Sequence, residues 1–322
     1  MTRSVEIVGG GPAGASAAIS ALQHGARVTI YEKSRLPRHK VCGEFVSPEI
    51  VPLLDRLGVS WDEAVPARIR RIVIAGGSAL KCARLPEAAF GLSRWAFDDL
   101  LFRCALRLGA VHERQHISEP RAGSVWAAGR HAAQPRGARL FGFKAHFTGP
   151  TDDAVELYFF RGCYVGISTV ENGITNVCGL GPEGAGFDTD ALVASYAPLR
   201  ERLRPLRRSF DWLHTGPLVF ANRLTSPVPF YAAGDALSFV DPFTGSGQLA
   251  AVLTGMLAGE CAALDLDTKA YLRRCRAALA PAFRWSSALR KLAGLAFADV
   301  LLTAVPARVL YHLTRPHVGA GR

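Results

Sequence analysis

Val5-Glu6-Ile7-Val8-Gly9-Gly10-Gly11-Pro12-Ala13-Gly14 decides the reading of this chain. Four residues of strand character run straight into a glycine cluster. An alanine-rich run, Ala15 to Gln23, follows, then a second apolar stretch, Arg27 to Tyr31, which ends at Glu32. Strand, glycine turn, helix, strand and an acid about 20 residues past the glycines form the βαβ fingerprint of a dinucleotide site. Each glycine has its own task. Gly9 permits the sharp turn, Gly11 lets backbone approach a pyrophosphate, and Gly14 lets the helix pack close to the strands. The free N–H groups and positive end of that helix favour phosphate, and Glu32 is placed to accept from a ribose. The competing reading is a tight βα turn that binds nothing.

A second block lies more than 200 residues on. Phe230-Tyr231-Ala232-Ala233-Gly234-Asp235 reads as a strand entering a Gly-Asp pair. Asp241-Pro242-Phe243-Thr244-Gly245-Ser246-Gly247 then opens a long Ala/Leu helix from Gln248 to Ala263. A nicotinamide-only Rossmann domain has no need of this block. Together the two blocks resemble the FAD-dependent oxidoreductases that include geranylgeranyl reductases, aromatic hydroxylases and flavin halogenases. The resemblance runs through most of the chain in order. Cys42-Gly43-Glu44 and Asp241 to Gly247 are most similar to the geranylgeranyl reductase-like branch. The Trp-x-Trp-x-Ile-Pro motif of the halogenases is absent.

That resemblance implies an α/β fold: a Rossmann-like FAD-binding domain interrupted by an antiparallel substrate sheet, with a C-terminal helical tail. The expected boundaries are 1–68 with 93–135 and 226–265 for FAD, 69–92 with 136–225 for substrate, and 266–322 for the tail. The expected FAD contacts are Gly9, Gly11, Pro12, Ala13, Gly14, Glu32, Lys33, Lys40, Arg94, Gly129, Gly234, Asp235, Gly245 and Gly247. Cys42, Gly43 and Glu44 form a flavin-side loop and are the catalytic candidates. For Cys42, a ring-edge contact and a structural thiol both stand. Arg94 opens Arg-Trp-Ala-Phe-Asp-Asp-Leu, similar to the family's R-x-x-F-D-x-x-L, and offers a fork of donors to phosphate or ribitol. Asp98 is either a second contact or a structural partner. The family's Ala-Asp-Gly strand end reads Ala127-Ala128-Gly129 here, without its acid. Gly129 is still expected to turn the chain at the cofactor. The electron donor is NAD(P)H or a protein reductant, and the lost acid counts against bound NAD(P)H.

Between these blocks, Ile69 to Ala75 and Leu80 to Leu85 read as a hairpin, and a helix spans Pro48 to Leu57 with Gly58 as its stop. Phe141 to Gly181 reads as successive strands with turns at Arg161-Gly162 and Glu171-Asn172-Gly173. Phe143, Phe147, Tyr158, Phe160 and Tyr164 are pocket candidates, each equally readable as core. Gly179-x-Gly-x-x-Gly184 matches the nucleotide fingerprint but follows an antiparallel strand, so a loop is expected. Asp188 caps the next helix, to Leu203. His39 and His146 are possible proton donors.

Composition sets the outer limits. The chain has 322 residues, 49% hydrophobic and 20% charged, with net charge +11. The arginine excess is scattered, which argues against nucleic acid and suits anionic cofactors or membranes. Seven cysteines without a CxxC point to reduced thiols in a cytoplasm, and no metal site is expected. No signal peptide and no bilayer-spanning stretch are expected. Lys269 to Leu279, then 281–298 and 300–313, read as helices. The last two carry apolar stripes beside arginines, which pack on the sheets or lie on a membrane surface. The substrate is expected to be small and apolar: an isoprenoid, lipid or polyketide. Reduction of a carbon–carbon double bond is the first reading. A monooxygenase, and a flavin-binding protein without turnover, are the alternatives.

Overall fold

In the computed structural model the first strand, Ser4–Val8, lies at the middle of a five-stranded parallel sheet. The structure describes residues 2–77, 79–130, 140–182, 188–218, 227–238 and 245–279. The parallel order is Tyr231–Ala232, Val125–Trp126, Ser4–Val8, Arg27–Tyr31, Val111–Glu113. Parallel neighbours need crossovers, and helix Pro12–Gln23 supplies the first. Its ten residues from Pro12 to Ala21 are all buried. The cause is a second helix, Gly247–Ala263. A Cβ at Gly255 would stand 2.2 Å from the Ala13 carbonyl oxygen, and one at Gly259 would stand 2.1 Å from that of Ala17. Glycines four apart share a helix face, so the two backbones nearly touch along one seam. The alanines of the first helix are the other half of that seam.

Helix Arg94–Arg107 packs under the same layer, with Phe97 and Leu101 in the core. Ser93 caps it by accepting from the Ala96 amide at 3.1 Å. Glu171 accepts in turn from the Ser93 amide at 2.7 Å and from its hydroxyl. The turn read from Glu171-Asn172-Gly173 therefore also pins this helix. Between Gly109 and Trp126 the short strands Val111–Glu113 and Val125–Trp126 both join the parallel sheet.

The second sheet has nine strands. Its order is Arg207–Arg208, Leu140–Thr148, Thr175–Pro182, Cys163–Thr169, Ala154–Phe160, Ala67–Gly76, Ala79–Gly91, Phe45–Val46, with Leu213–Leu218 also on Leu140–Thr148. All pairs are antiparallel except Ala67–Gly76 with Ala154–Phe160. Those two strands are separated by the passage through the parallel layer, and such a long crossover permits a parallel pairing. The helix expected from Asp188 to Leu203 is two, Thr189–Ala194 and Ala197–Leu203, with Pro198 in the first turn of the second. Proline lacks the N–H that a continuous helix needs there. Asp188 caps the first as expected, accepting from Ala191 at 3.0 Å. In the tail, a helix spans 268–279. The expected helices 281–298 and 300–313 lie outside the described residues. No helix among the described residues is long and apolar enough to cross a membrane.

Candidate functional site

The parallel strands end at a cavity of about 830 Å³ whose far wall is the second sheet. Ligands of open α/β sheets bind beyond the strand C-termini. Gly9, Gly11, Pro12, Ala13, Glu32, Lys33, Lys40, Cys42, Gly43, Glu44, Arg94, Gly129, Gly234, Asp235, Gly245 and Gly247 all line this one space. Gly14 sits behind it: its Cβ would stand 1.8 Å from the Gly9 carbonyl oxygen. Gly9 turns the chain at φ +106°.

Gly11 differs from both. A Cβ there would meet only the Lys40 Nζ at 3.6 Å and the Arg94 Nη2 at 3.8 Å. Its backbone is therefore exposed to a space walled by two cations. Helix Pro12–Gln23 starts at the same point, with no side-chain cap and no acid in its first turn. Helix end, ammonium and guanidinium converge, and the pocket favours an anion. Asp98 holds the two cations in place. Arg94 donates to it through Nε at 2.6 Å and Nη2 at 2.8 Å, and Lys40 donates at 2.8 Å. Burial pushes the Asp98 carboxyl up, but Arg94 and Lys40 outweigh it and hold it below its usual range. Of the two readings of Asp98, the structural partner is the one seen.

Glu32 accepts from the Gly10 and Ser34 amides, each at 2.8 Å. Burial raises its pKa, and these two amides, then Lys40, more than reverse this and hold it below its usual range. Across the cavity stands Asp235, just past Tyr231–Ala232. Its carboxyl makes no hydrogen bond among the described residues. It reaches cavity water yet is ringed by protein, and that burial raises its pKa while Arg130, Arg94 and Lys40 pull it back. An acceptor aimed into the space without a protein donor suits a polyhydroxyl chain. Gly245 and Gly247 bring the start of helix Gly247–Ala263 to the same wall, again with no acid in its first turn. Gly129 turns at φ +82° with open space around it. These features fit FAD on the chemistry of the donors and acceptors alone.

The loop Cys42 to Glu44 lies at the cavity wall and is held from several sides. Cys42 lines the cavity, and its sulfur accepts from the Glu44 amide at 3.4 Å and lies 3.8 Å from Gln248 Nε2. Glu44 is fully buried. One of its oxygens takes the Lys144 ammonium and the Arg94 amide (2.6 Å), and the other takes His146 Nε2 (2.7 Å). Burial pushes its carboxyl up, and His146 and Lys144 more than reverse this. Glu44 thus ties loop, helix and sheet together at the cavity wall. Asn176 fastens the same loop by donating to the carbonyls of Cys42 (3.2 Å) and Gly43 (2.9 Å). Lys144 and Asn176 escaped the sequence reading. A lysine and a histidine two apart in an apolar strand were the available signal for this cluster.

His146 is committed to Glu44. His39 lies between Trp95 and Phe210, with ring centroids at 4.9 and 4.7 Å. Burial, then the charges of Lys144 and His146, lower its pKa.

The aromatic candidates divide by strand parity. Tyr164 faces the cavity. Phe143, Phe147, Tyr158 and Phe160 point the other way, into a core with Leu199 and Leu206 beneath the helices that follow Asp188. Their alternation was legible; the face they occupy was not. The cavity face instead carries Val155, Leu157 and Phe159 from the same strand.

Residues 7–38 match the model of an NAD(P)-binding Rossmann-like domain. Over the whole chain, the structure of a triple mutant of the flavin-dependent brominase Bmp2 superposes with a TM-score of 0.76. It covers 96% of this chain and 93% of the brominase at 18% identity. The chain has the fold of the flavin-dependent halogenases and oxidoreductases. Closer identity is confined to short segments. Menaquinone reductase of Mycolicibacterium smegmatis is 43% identical over 58 residues, 18% of this chain and 14% of that protein. The 6-methylpretetramide 4-monooxygenase of Streptomyces rimosus is 49% identical over 53 residues, 16% of this chain and 13% of the monooxygenase. The chain thus matches about a seventh of the length of these curated relatives.

Proposed function

We infer that the chain is an FAD-dependent oxidoreductase that reduces a carbon–carbon double bond in a small apolar substrate. The observation that carries this is a single cavity with an anion cradle at Gly11, Lys40 and Arg94 and an apolar sheet wall opposite. Gly11, Lys40, Arg94 and the helix end at Pro12 would hold the pyrophosphate. Glu32 would take the adenosine ribose and Asp235 the ribitol. Bound FAD supplies two-electron transfer, and the protein supplies position and field. The helix start at Gly247 adds a positive end near which negative charge is stabilised by about 0.3–1 kcal/mol. The buried Glu44 cluster fixes the loop that closes this wall. The similarity to menaquinone reductase and the Cys42-Gly43-Glu44 loop favour the reductase.

A monooxygenase is the second reading, favoured by the 6-methylpretetramide 4-monooxygenase match. Chemistry separates the two. FAD-loaded protein is reduced with dithionite without oxygen and mixed with a panel of polyprenyl and polyketide alkenes. We expect anaerobic recovery of the oxidised flavin absorbance together with a saturated product. Recovery only on admitting oxygen, with oxygen in the product, would establish the monooxygenase instead. Absence of any substrate-dependent recovery would favour a flavin carrier without turnover. NAD(P)H or a protein reductant is the proposed electron donor.

We propose weak, reversible membrane association through 281–315. Flotation with anionic liposomes should lift the full chain and leave a folded chain ending at Ala280 behind. Equal flotation of both removes the tail as the anchor.

A further inference from the structure

The cavity face of the second sheet can be followed strand by strand from its register. Ile74, Leu157, Gly166, Cys178 and Lys144 are successive partners across five strands; Phe159, Tyr164, Leu180 and Gly142 form the next row. The face is graded. At one end Lys144 is sealed beneath the Cys42–Glu44 loop by its pairing with Glu44. At the other, Ile72, Ile74, Leu85, Val155, Leu157 and Phe159 line the cavity. None of these six carries an ionisable group.

Gly166 stands in the middle of this face, and the fold does not demand glycine there. Its φ is not positive. A Cβ on it would meet no close backbone: the nearest atom is the Tyr164 hydroxyl at 2.9 Å, and the Cys178 carbonyl oxygen is at 3.7 Å. Two other strand glycines differ. A Cβ on Gly91 would overlap the Thr169 carbonyl oxygen at 1.8 Å, and one on Gly179 would overlap the Phe143 ring at 2.3 Å. Glycine inside a strand weakens it and often marks close approach of a ligand or another backbone. No backbone approaches Gly166 closely; the Tyr164 hydroxyl does, with the cavity beyond it. Tyr164 lies over the gap, its ring 5.5 Å from that of Phe159.

We propose that Tyr164, folded over Gly166, floors the substrate end of the cavity and sets its size limit. The ligand class is an uncharged hydrocarbon skeleton. This rests on reading the cavity as a flavin-plus-substrate site, and it names the substrate class of that site. An ion carried to the apolar end would lose its hydration without gaining a partner. A bulky side chain at 166 would push the Tyr164 ring into the volume that the ligand uses, and truncation of Tyr164 would enlarge that volume.

The test uses N-phenyl-1-naphthylamine, an uncharged fluorescent ligand, and its sulfonated relative 1-anilinonaphthalene-8-sulfonate. Both are titrated into wild type, Gly166→Leu, Gly166→Ala and Tyr164→Ala, with and without FAD. The uncharged ligand is expected to bind wild type at least about tenfold more tightly than the sulfonate, a difference of about 1.4 kcal/mol. Gly166→Leu should lose at least about tenfold for the uncharged ligand. Gly166→Ala, whose methyl group only displaces the Tyr164 hydroxyl, should lose less, and Tyr164→Ala should gain affinity for a bulkier pyrene ligand. FAD affinity and the melting temperature should stay at wild-type values in Gly166→Ala, which serves if the leucine variant misfolds. Wild type that ignores the uncharged ligand, equal binding of the sulfonate, or unchanged binding in both Gly166 variants would overturn the proposal. If FAD does not bind but the Gly166 dependence persists in flavin-free protein, the flavin reading falls and this subsite stands.

Discussion

Gly11→Val should empty the FAD site while leaving the protein folded. Gly11 has φ −75° and ψ −175°, extended geometry that valine adopts readily. A Cβ there has only the Lys40 ammonium and the Arg94 guanidinium within 4 Å, both at ordinary contact distance. The new side chain therefore has room in the empty protein. It would lie between the helix end and the two cations, where the pyrophosphate is proposed. The expected loss is at least about 100-fold in FAD affinity, about 2.7 kcal/mol. Isothermal titration with FAD measures it, and circular dichroism confirms the fold. Gly14→Ala is the contrasting variant. Its methyl would stand 1.8 Å from the Gly9 carbonyl oxygen, so the βα turn itself should fail and the chain should lose cooperative folding. FAD affinity unchanged in Gly11→Val would remove the cradle from this position.

Glu44→Ala is expected to be among the most destabilising single changes in the chain. Lys144 and Glu44 are both fully buried. Removing the carboxylate strands the ammonium in the sheet, takes the acceptor from the Arg94 amide and frees His146. Breaking a buried pair from one side typically costs about 3–5 kcal/mol. Urea denaturation should show that loss, and adding Lys144→Met should return part of it, because two apolar neighbours leave no unpaired charge. The pH dependence has a definite sign. The folded-state pKa of Glu44 lies below its ordinary 4.5. Its contribution is complete above pH 4.5 and is lost as the pH falls through the lower folded value. Wild type should therefore lose stability more steeply than Glu44→Gln across that acid range. Parallel acid profiles of the two would mean that Glu44 is not held as a carboxylate.

The amino-acid order by itself determined the first βαβ unit of the parallel layer. Val5 to Val8, the glycine turn, the alanine run and Arg27 to Glu32 are contiguous, so local backbone preferences and short-range packing are enough to specify them. The turn roles of Gly9, Gly11 and Gly14, the cap at Asp188, and the strand succession from Phe141 to Gly181 rest on the same local physics. Tertiary structure alone decided three things. It chose which face of the second sheet turns to the cavity. Alternation separates Tyr158 and Phe160 from Leu157 and Phe159, but both sets are apolar and both faces are covered, so hydrophobicity cannot rank them. It joined Glu44 to Lys144 and His146, about a hundred residues along the chain, where no local pattern reports the partner. It also brought Gly255 and Gly259 onto Ala13 and Ala17. In the sequence these are only small residues in two separate helices. Their meaning arises when two backbones meet at a distance that no side chain could share.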